Sequence, residues 1–375
     1  MSFLRTTKMK YTTFITYIIA VIFLLVACKK NESEQPTDAK PVLYDTTPYA
    51  LNHVGFPAPL ISDDNLLTIQ GVQLGRMLFY EKKLSGNSTQ SCGSCHQQEF
   101  AFTDTAKFSL GIHGLLGKRN SMSAVNMAWN TGGFFWDGRA SLLRQQALMP
   151  IQDELEMDET IENVISKLSA SKTYRDQFLR AFGSEEITAN KIALALEQFM
   201  NSIVSNDTKF DRYKRGEIIL DSAEERGRQL FFAEYNPSFP ELSGADCAHC
   251  HSGPNFSNNR YMNNGTKTDA EIIDIGRQGV TGNINDKGKF KVATLRNVAI
   301  TPPYMSDGSI KTLEEVINHY NNGLEESTTL DPALKFTKEK GLMLDQQDKA
   351  DLVAFLKTLT DYTLISDPKY ADPNK

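Results

Sequence analysis

Two copies of the pattern Cys-x-x-Cys-His, at residues 92–96 and 247–251, constrain this chain more than any other feature. At this spacing two thiols can add to the vinyl groups along one edge of a haem, and the adjacent His lies under the iron as its proximal ligand. The remaining one of the five cysteines, Cys28, belongs to an N-terminal apolar segment. The sequence therefore predicts two covalently bound haem c groups. Their attachment and proximal residues are Cys92, Cys95 and His96 for the first haem, and Cys247, Cys250 and His251 for the second.

A structural zinc site assembled from the two Cys-x-x-Cys pairs is the main alternative. Zinc knuckles usually pair within a few tens of residues, whereas these two pairs are much farther apart. Each pair is also followed directly by His, which zinc does not require. A disulfide within either pair is a second alternative, but it would strain so short a loop. Haem attachment therefore explains the pattern best.

The N-terminal residues 1–28 are typical of an export signal, with basic residues followed by an apolar run that ends at Ala27. The sequence Leu-Val-Ala-Cys at 25–28 resembles a bacterial lipobox, which predicts cleavage before Cys28 and lipid attachment to its thiol. A transmembrane anchor is the alternative, although the run is short for a span of about 20 residues. Residues 29–47 are polar and predict a flexible tether. These features predict a cell-envelope lipoprotein, periplasmic or at the outer membrane, held to the membrane by its lipid alone.

Size and charge limit the remaining possibilities. The part after the signal is long enough for two domains of the usual size, about 100–200 residues each. The net charge of −6 gives no basic patch, so we do not expect nucleic acid as a partner.

The chain also contains an internal repeat. Gly-Arg-x-Leu-Phe occurs at residues 75–79 and again at 227–231, each time ahead of a Cys-x-x-Cys-His motif. Each copy suits a helix whose Gly allows close approach of a partner helix. Apolar residues at helical spacing predict those partners: Ile192, Leu196, Phe199, Met200 and Ile203 for the first copy, and Leu352, Phe355, Leu356 and Leu359 for the second.

The repeat predicts an all-α fold with two cytochrome c-like domains, at 48–205 and 206–365, each holding one covalent haem. We expect long irregular loops between the helices. The Gly-, Asn- and Asp-rich residues 255–297 are expected to loop over the second haem.

Few histidines remain as further iron ligands. Of the six in the chain, His53, His113 and His319 lie outside the two motifs. His113 follows the first motif closely in a loop-like segment, which makes it a candidate for the distal side of the first iron. A surface or hydrogen-bonded histidine is the alternative.

Over residues 50–360 the chain resembles the bacterial di-haem cytochrome c peroxidases and their MauG-like relatives. Several motifs in the same order carry the resemblance: His113, Arg119-Asn120-Ser121, Asn126, Phe135 to Ala140, Gln146-Ala147, Pro150, Glu156-Met157, Leu295 to Val298, and Pro303 to Gly308.

The resemblance implies that the first haem is the peroxidatic one. His113 matches the removable distal ligand of its iron. Gln146 and Glu156 match distal-pocket residues, with Glu156 as the acid–base catalyst, and Trp136 matches the aromatic residue between the haems. From the residues alone, plainer readings stay open, because Trp136 suits a core and Glu156 lies in an acidic stretch typical of a solvated face.

The resemblance also implies one Ca²⁺ between the domains. Asn120 and the backbone carbonyls of Thr301 and Pro303 match its ligands, and hard oxygen donors suit this ion. From the residues alone, Asn120 is equally suited to form a turn.

The sequence departs from the family pattern near the second iron. Ser306 replaces a His of the motif Pro-Tyr-x-His-Asp-Gly, and Tyr320 stands where the Met-ligated peroxidases have their Met. The MauG-like branch is similar in having a Tyr ligand there. Tyr320 is therefore the first candidate for the second distal ligand, and Met305 and His319 are its rivals.

These features predict a di-haem cytochrome c peroxidase that reduces hydrogen peroxide to water. Its electrons would come from a small redox protein, either a cytochrome c or a cupredoxin. A MauG-like enzyme that oxidises a partner protein is one alternative, and a di-haem electron carrier without catalysis is another. The carrier has no need for Glu156 and His113 beside an iron that can open. The oligomeric state stays open, a homodimer included.

Overall fold

The computed structural model describes residues 42–374, and the chain from Leu43 onwards forms one compact unit. The predicted signal, Cys28 and all but the last residues of the predicted tether lie outside the described residues. Within the described end of that tether, the Asp45 N–H donates to the Arg180 carbonyl at 2.9 Å, so any flexible tether ends before Asp45. Between residues 42 and 374, no helix combines the length and the apolar character that a membrane span needs.

The described part of the chain is rich in helices. The first helices are α1 (Ile69–Phe79), α2 (Cys92–Cys95), α3 (Leu143–Gln152), α4 (Ile161–Ser169), α5 (Lys172–Phe182) and α6 (Ala189–Ser202). They are followed by α7 (Lys209–Lys214), α8 (Ser222–Phe232), α9 (Gln278–Thr281), α10 (Leu313–Asn322), α11 (Pro332–Lys338) and α12 (Gln346–Lys357). Short 3-10 turns and irregular loops connect them, as the sequence predicts.

Helices α1 and α6 pack against each other through Gly75. A Cβ atom on Gly75 would lie 1.9 Å from the Ala195 carbonyl oxygen and 2.7 Å from the Phe199 Cβ. The two backbones are therefore too close for any larger residue at this position. Thr68 begins α1 as its N-cap, with its side chain accepting a hydrogen bond from the first turn. The prediction of this helix pair is confirmed.

The second copy of the repeat forms the same contact between α8 and α12. A Cβ atom on Gly227 would lie 1.9 Å from the Asp351 carbonyl oxygen and 2.9 Å from the Phe355 Cβ. An ion pair fixes the two helices further, because Arg226 Nε donates to the buried Asp351 carboxylate at 2.8 Å. This helix pair is also confirmed, so the repeat in the sequence is a repeat in the structure.

Buried apolar side chains form two large clusters, the first core and the second core. The first core is built mainly by α1, α3, α4, α5 and α6, and the second by α7, α8, α10 and α12. Cys92 packs against the first core and Cys247 against the second. Each Cys-x-x-Cys-His motif therefore has a core of its own. The division into domains at 48–205 and 206–365 stays a prediction.

A segment from far along the chain completes the first core. Residues 364–371, here called the strap, contribute Leu364 and Tyr370 to it. The Gln98 side-chain amide, directly after the first motif, donates to two strap carbonyls at 2.8 Å. Arg76 of α1 donates to a third strap carbonyl at 2.6 Å. The strap thus holds α1 and the first motif together.

A two-stranded antiparallel sheet lies within residues 255–297. Its strands are β1 (Tyr261–Met262) and β2 (Phe290–Lys291). The Met262 sulfur lies 3.3 Å from the Cys250 sulfur, so this loop does pack against the second motif. The all-α prediction omitted the sheet, because strands of two residues are too short for an alternating pattern to reveal them.

Candidate haem sites

The first motif, residues 92–96, is a helical turn. Its histidine has one ring nitrogen held by a hydrogen bond and the other free to bind a metal. His96 Nδ1 lies 2.8 Å from the Phe102 carbonyl oxygen. Because a carbonyl only accepts, Nδ1 carries the proton, and Nε2 keeps its lone pair for an iron. Burial lowers the pKa of His96, which favours the neutral form that a metal ligand needs. A Cβ on Gly93 would lie 2.4 Å from the Tyr80 ring, so no larger residue fits there.

The second motif, residues 247–251, has the same arrangement. His251 Nδ1 lies 3.1 Å from the Phe256 carbonyl oxygen, and burial lowers the pKa of His251. Its cysteines begin in a 3-10 turn, Cys247–His249, rather than in an α-helical turn. Both histidines can therefore serve as proximal ligands through Nε2.

The four motif cysteines are unpaired thiols. Burial raises the pKa of both Cys92 and Cys247 to about 12, so the neutral S–H form that adds to a vinyl group predominates. Among residues 42–374, no group of three or more His, Cys, Asp or Glu side chains is arranged to hold a metal ion. Each motif therefore offers two free thiols and a following histidine, a set that fits one covalent haem.

Glu156 lies beside the first motif. Its backbone is fixed on both sides, because its N–H donates to the Asp153 carbonyl and its carbonyl accepts from the Ile112 N–H, both at 2.9 Å. Burial raises the pKa of Glu156, and the charge of Asp153 raises it further, while Arg139 opposes both. The Glu156 charge in turn contributes to the raised pKa of the Cys92 thiol. A carboxyl group that can carry a proton therefore stands near the first haem position.

His113 lies close to Glu156 in the chain fold, but its ring faces outward. His113 Nε2 is 2.6 Å from Asp158 Oδ2, and its side chain is 53% exposed. The backbone of its turn is tied to the Glu156 segment, since a Cβ on Gly111 would lie 2.1 Å from the Leu155 carbonyl oxygen. To reach the first iron, the His113 side chain would have to leave Asp158.

Gln146 is half-buried on α3, the helix that leads into the turn of Glu156. This helix is held against α6 because Arg144 contacts the buried Glu197, with 2.9 Å between Nη2 and Oε2. The two predicted distal-pocket residues, Gln146 and Glu156, are therefore positioned by the same helix and the turn that follows it.

Trp136 joins the parts of the molecule that contain the two motifs. Its indole N–H donates to the Asn120 carbonyl at 2.8 Å, and its own carbonyl accepts from the Lys291 N–H of β2 at 2.8 Å. The Asn120 N–H donates in turn to the Ser306 carbonyl at 2.9 Å. Trp136 therefore lies where the two parts meet.

Asn120, one of the three predicted calcium ligands, contacts the loop that contains the other two. Asn120 is buried, and its contact with Ser306 brings it to the loop that also contains Thr301 and Pro303. Its amide nitrogen donates to the Ala106 carbonyl at 3.0 Å, which leaves the amide oxygen to face elsewhere. Oxygen donors of this kind fit Ca²⁺.

Tyr320, on α10, lies beside the second motif. Burial raises the pKa of Tyr320 to about 12, a hydrogen bond with the Asn264 side chain opposes that rise, and the Cys250 and Cys247 thiols add to it. The rival Met305 is also near, because Asn264 Nδ2 lies 3.0 Å from its sulfur. Both candidate ligands therefore meet at Asn264.

His319, the other rival ligand, contacts a backbone carbonyl. Its Nε2 lies 2.9 Å from the Asn264 carbonyl oxygen, and a carbonyl can only accept, so this nitrogen carries a proton. A protonated ring nitrogen has no lone pair for iron. The arrangement thus leaves Nδ1 as the His319 nitrogen that has a lone pair for iron.

Sequence reasoning missed Asp158, Asn264 and the two carbonyls that hold the proximal histidines. The two carbonyls could have been found in the sequence, because each belongs to a Phe shortly after its motif, Phe102 and Phe256. Aligning the two copies would have revealed them. Asp158 and Asn264 lie in polar loops with no repeating pattern.

Comparisons with known proteins agree with this geometry. The family described as di-haem cytochrome c peroxidase matches residues 69–218. The chain is 34% identical to the cytochrome c551 peroxidase of Nitrosomonas europaea, over 77% of this chain and 79% of that protein. It is also 34% identical to the methylamine utilization protein MauG of Methylorubrum extorquens, over 79% of each. The chain therefore belongs to the di-haem cytochrome c peroxidase family, which includes the MauG proteins.

Solved structures give the same result. A MauG-like protein associated with microbial copper homeostasis matches with a TM-score of 0.79 and 34% identity, over 86% of this chain and 99% of that one. The diheme peroxidase BthA from Burkholderia thailandensis shares the fold, with a TM-score of 0.67 and 21% identity over 88% and 98%. Membership of the family implies covalently bound haem c and oxidoreductase chemistry.

Proposed function

We propose that this protein reduces hydrogen peroxide to water at the first of two covalent haems. Its electrons would pass through the second haem from a small redox protein, a cytochrome c or a cupredoxin. The observation that carries this proposal is the carboxyl of Glu156 beside the first motif, whose pKa burial raises. Tyr320 and Met305, the candidate ligands near the second motif, are both linked to Asn264.

A haem held by Cys92, Cys95 and His96 would supply redox-active iron and the electrons that break the O–O bond. The residues of this chain move the protons. Glu156 can accept a proton from the peroxide oxygen nearest the iron and return it to the leaving oxygen, a general acid–base role. Its raised pKa suits the return step, because a more basic carboxylate holds that proton more firmly. One peroxide, two protons and two electrons then give two waters.

The other site residues would control access and electron flow. His113 would cap the first iron at rest and turn away to Asp158, 2.6 Å distant, when peroxide binds. Trp136, which contacts both Asn120 and Lys291, would lie on the electron route between the haems. Asn120, Thr301 and Pro303 would bind one Ca²⁺ at this junction and stiffen it.

The proposal also includes a place in the cell. Lipid on Cys28 would hold the protein to a membrane of the cell envelope, facing the periplasm or the outside. Haem attachment to Cys-x-x-Cys-His takes place outside the cytoplasm, which agrees with an export signal. The N-terminal peptide of the mature protein, measured by mass spectrometry, tests this point, because an unlipidated Cys28 would contradict it.

The experiment that tests the main reaction is peroxide-dependent oxidation of reduced cytochrome c, or of a reduced cupredoxin, by the protein with both haems attached. We expect donor oxidation that requires peroxide and whose rate rises linearly with the concentration of the protein. Absence of turnover with either class of donor, at full haem content, would contradict the proposal.

Oxidation of side chains in a partner protein is the second candidate function. Tyr320 favours it, because the chain resembles the MauG-like branch at this position and is 34% identical to MauG. This function predicts slow peroxide consumption without donor oxidation. It also predicts a mass change in a partner protein, whereas the peroxidase leaves its donor chemically unchanged apart from one electron.

A further inference from the structure

The two-stranded sheet has one face against the second motif. Strands β1 and β2 pair Tyr261 with Lys291, and directly paired residues project from the same face of a sheet. Met262 follows Tyr261 and projects from the opposite face, where its sulfur lies 3.3 Å from the Cys250 sulfur. Tyr261 and Lys291 therefore project away from the second motif.

The face with Tyr261 and Lys291 contacts residues 130–138, here called the Trp136 loop. The Tyr261 hydroxyl donates to the Gly132 carbonyl. Lys291 Nζ donates to the Gly133 carbonyl at 2.8 Å. Two paired residues of the sheet thus hold the start of the loop by its backbone oxygens.

Arg277 contributes a third side chain to this contact. Its backbone N–H donates to the carbonyl of the residue that precedes β2, at 2.8 Å. Its guanidinium lies over the Tyr261 ring, 4.4 Å from the ring centre. Arg277 Nη1 donates to the Asp137 carbonyl at 2.8 Å and to the Gly138 carbonyl at 3.2 Å. The two carbonyls that directly follow Trp136 are therefore held as well.

The Trp136 loop depends on these contacts because its backbone is strained beside Trp136. Phe135 has φ +68, a left-handed conformation that a bulky residue keeps only where its surroundings impose it. The Lys291 N–H holds the next carbonyl, that of Trp136, at 2.8 Å. A Cβ on Gly132 would lie 2.1 Å from the Asn259 carbonyl oxygen, so the loop also touches the backbone that leads into β1. Loss of the contacts would let Phe135 relax and would move Trp136.

We propose that Tyr261, Arg277 and Lys291 position Trp136 for electron transfer between the two haems. The inference rests on the proposed function, in which Trp136 lies on that route. One peroxide and two protons take one electron from each of two ferrous haems and give two waters and two ferric haems. One electron must therefore cross the junction, and no bond of Trp136 forms or breaks. Electron transfer weakens steeply as the groups separate, so a displaced Trp136 slows this electron alone. The three residues are positioning residues, because they act through Trp136.

The test is Arg277→Leu in the protein with both haems attached and reduced, mixed with one equivalent of peroxide and followed by stopped-flow absorbance. Oxidation of the first haem should keep the parent rate. Oxidation of the second haem should slow by about tenfold or more, since a misplacement of about 1 Å can cost about 100-fold in a step that depends on geometry. Arg277→Lys, which retains a donor, should restore part of the rate.

Arg260→Leu is the matched control, because Arg260 is exposed and directly precedes β1. It should keep both rates of the parent. A second-haem rate in Arg277→Leu equal to that of the parent would overturn the inference. If Arg277→Leu fails to fold, Tyr261→Phe replaces it, because this variant removes only the hydroxyl that donates to Gly132.

A second measurement does not depend on peroxide. Amide hydrogen exchange in a peptide that covers the Trp136 loop should be faster in Arg277→Leu and in Tyr261→Phe. Exchange in α1 and α6 should stay at the parent rate, which separates a loosened loop from general unfolding. Parent-like exchange of the loop in both variants would also overturn the inference. Failure of the proposed function would appear separately, as a parent protein whose first haem peroxide does not oxidise.

Discussion

The surroundings of the two motifs share a scaffold and differ in what faces the haem. In both, a Gly lets two helices touch backbone to backbone, Gly75 in one and Gly227 in the other. In both, a carbonyl shortly after the motif holds the proximal His. The distal sides differ, since the first has Glu156 beside a loop with an exposed His, and the second has the contact set around Asn264. The duplicated parts are those that build the site, and the divergent parts are those that set its chemistry.

The strongest test of this comparison is to remove the attachment residues of one motif at a time. Cys92→Ala with Cys95→Ala should eliminate one haem and leave the other, and Cys247→Ala with Cys250→Ala should do the reverse. Cys92 packs against the first core and Cys247 against the second, so each attachment should be separate. Mass of the denatured protein and the pyridine haemochrome measure the haem content. A protein that carries zinc and no haem would end the comparison.

The next largest effect should come from Glu156→Gln, which keeps the shape and removes the proton carrier. General acid–base groups contribute about 10²–10⁴ in rate, so we expect a loss of peroxide turnover in that range with a parent-like spectrum. Glu154→Gln is the matched control, because Glu154 is an exposed neighbour in the same acidic stretch. Full activity in Glu156→Gln would move the acid–base role to another residue.

The shared scaffold can be tested with Gly75→Ala and Gly227→Ala. Ala is favoured over Gly in a helix by about 1 kcal/mol, but the added Cβ would meet a backbone oxygen at 1.9 Å in both places. Overpacking typically costs about 1–3 kcal/mol, so we expect both variants to unfold at lower temperature.

The control for these variants is Gly279→Ala in α9, where the nearest atoms to a new Cβ lie 3.8 Å away. It should keep the parent unfolding temperature or raise it slightly, because Ala is favoured over Gly in a helix. If Gly75→Ala and Gly227→Ala differ widely from each other, the two helix contacts are not equivalent.

The smallest expected effect concerns Asp158, which contacts His113 and, under the proposed function, would compete with the first iron for it. The pair is exposed, and such pairs contribute about 0.2–1 kcal/mol. Asp158→Asn should therefore raise the low-spin fraction of the first haem by less than about fivefold. Asp176→Asn, in another exposed pair, is the control. An unchanged spin state in His113→Gly would show that His113 is not an iron ligand. The proposed opening of the first iron by movement of His113 would then be wrong.

The sequence predicted the features that depend on local spacing. The two motifs, the helices around Gly75 and Gly227, and their partners near Phe199 and Phe355 follow from fixed intervals along the chain. Direct contact of a Gly with a facing backbone could be anticipated, because only Gly allows it.

Features that join distant loops could not be predicted in this way. Asn264 meets Met305 and Tyr320 across a Gly- and Asn-rich loop with no period. The outward orientation of His113 depends on Asp158, 45 residues further along. The resemblance to the family supplied the candidate ligands, and the contacts among them required the structure.

The strap has a consequence for the order in which the protein matures. Gln98 and the strap carbonyl of Leu364 are 266 residues apart along the chain, and an exported chain emerges from its N-terminal end. Export as proposed would bring the first motif out of the translocation channel long before Tyr370 can form its hydrogen bond with the Ser202 carbonyl. Haem would meet the Cys92 and Cys95 thiols while the pocket still lacks a wall, which gives the attachment enzymes an opening. The strap would then pack against the first core, so the motif that comes first in the sequence would wait for the end of the chain to complete its surroundings.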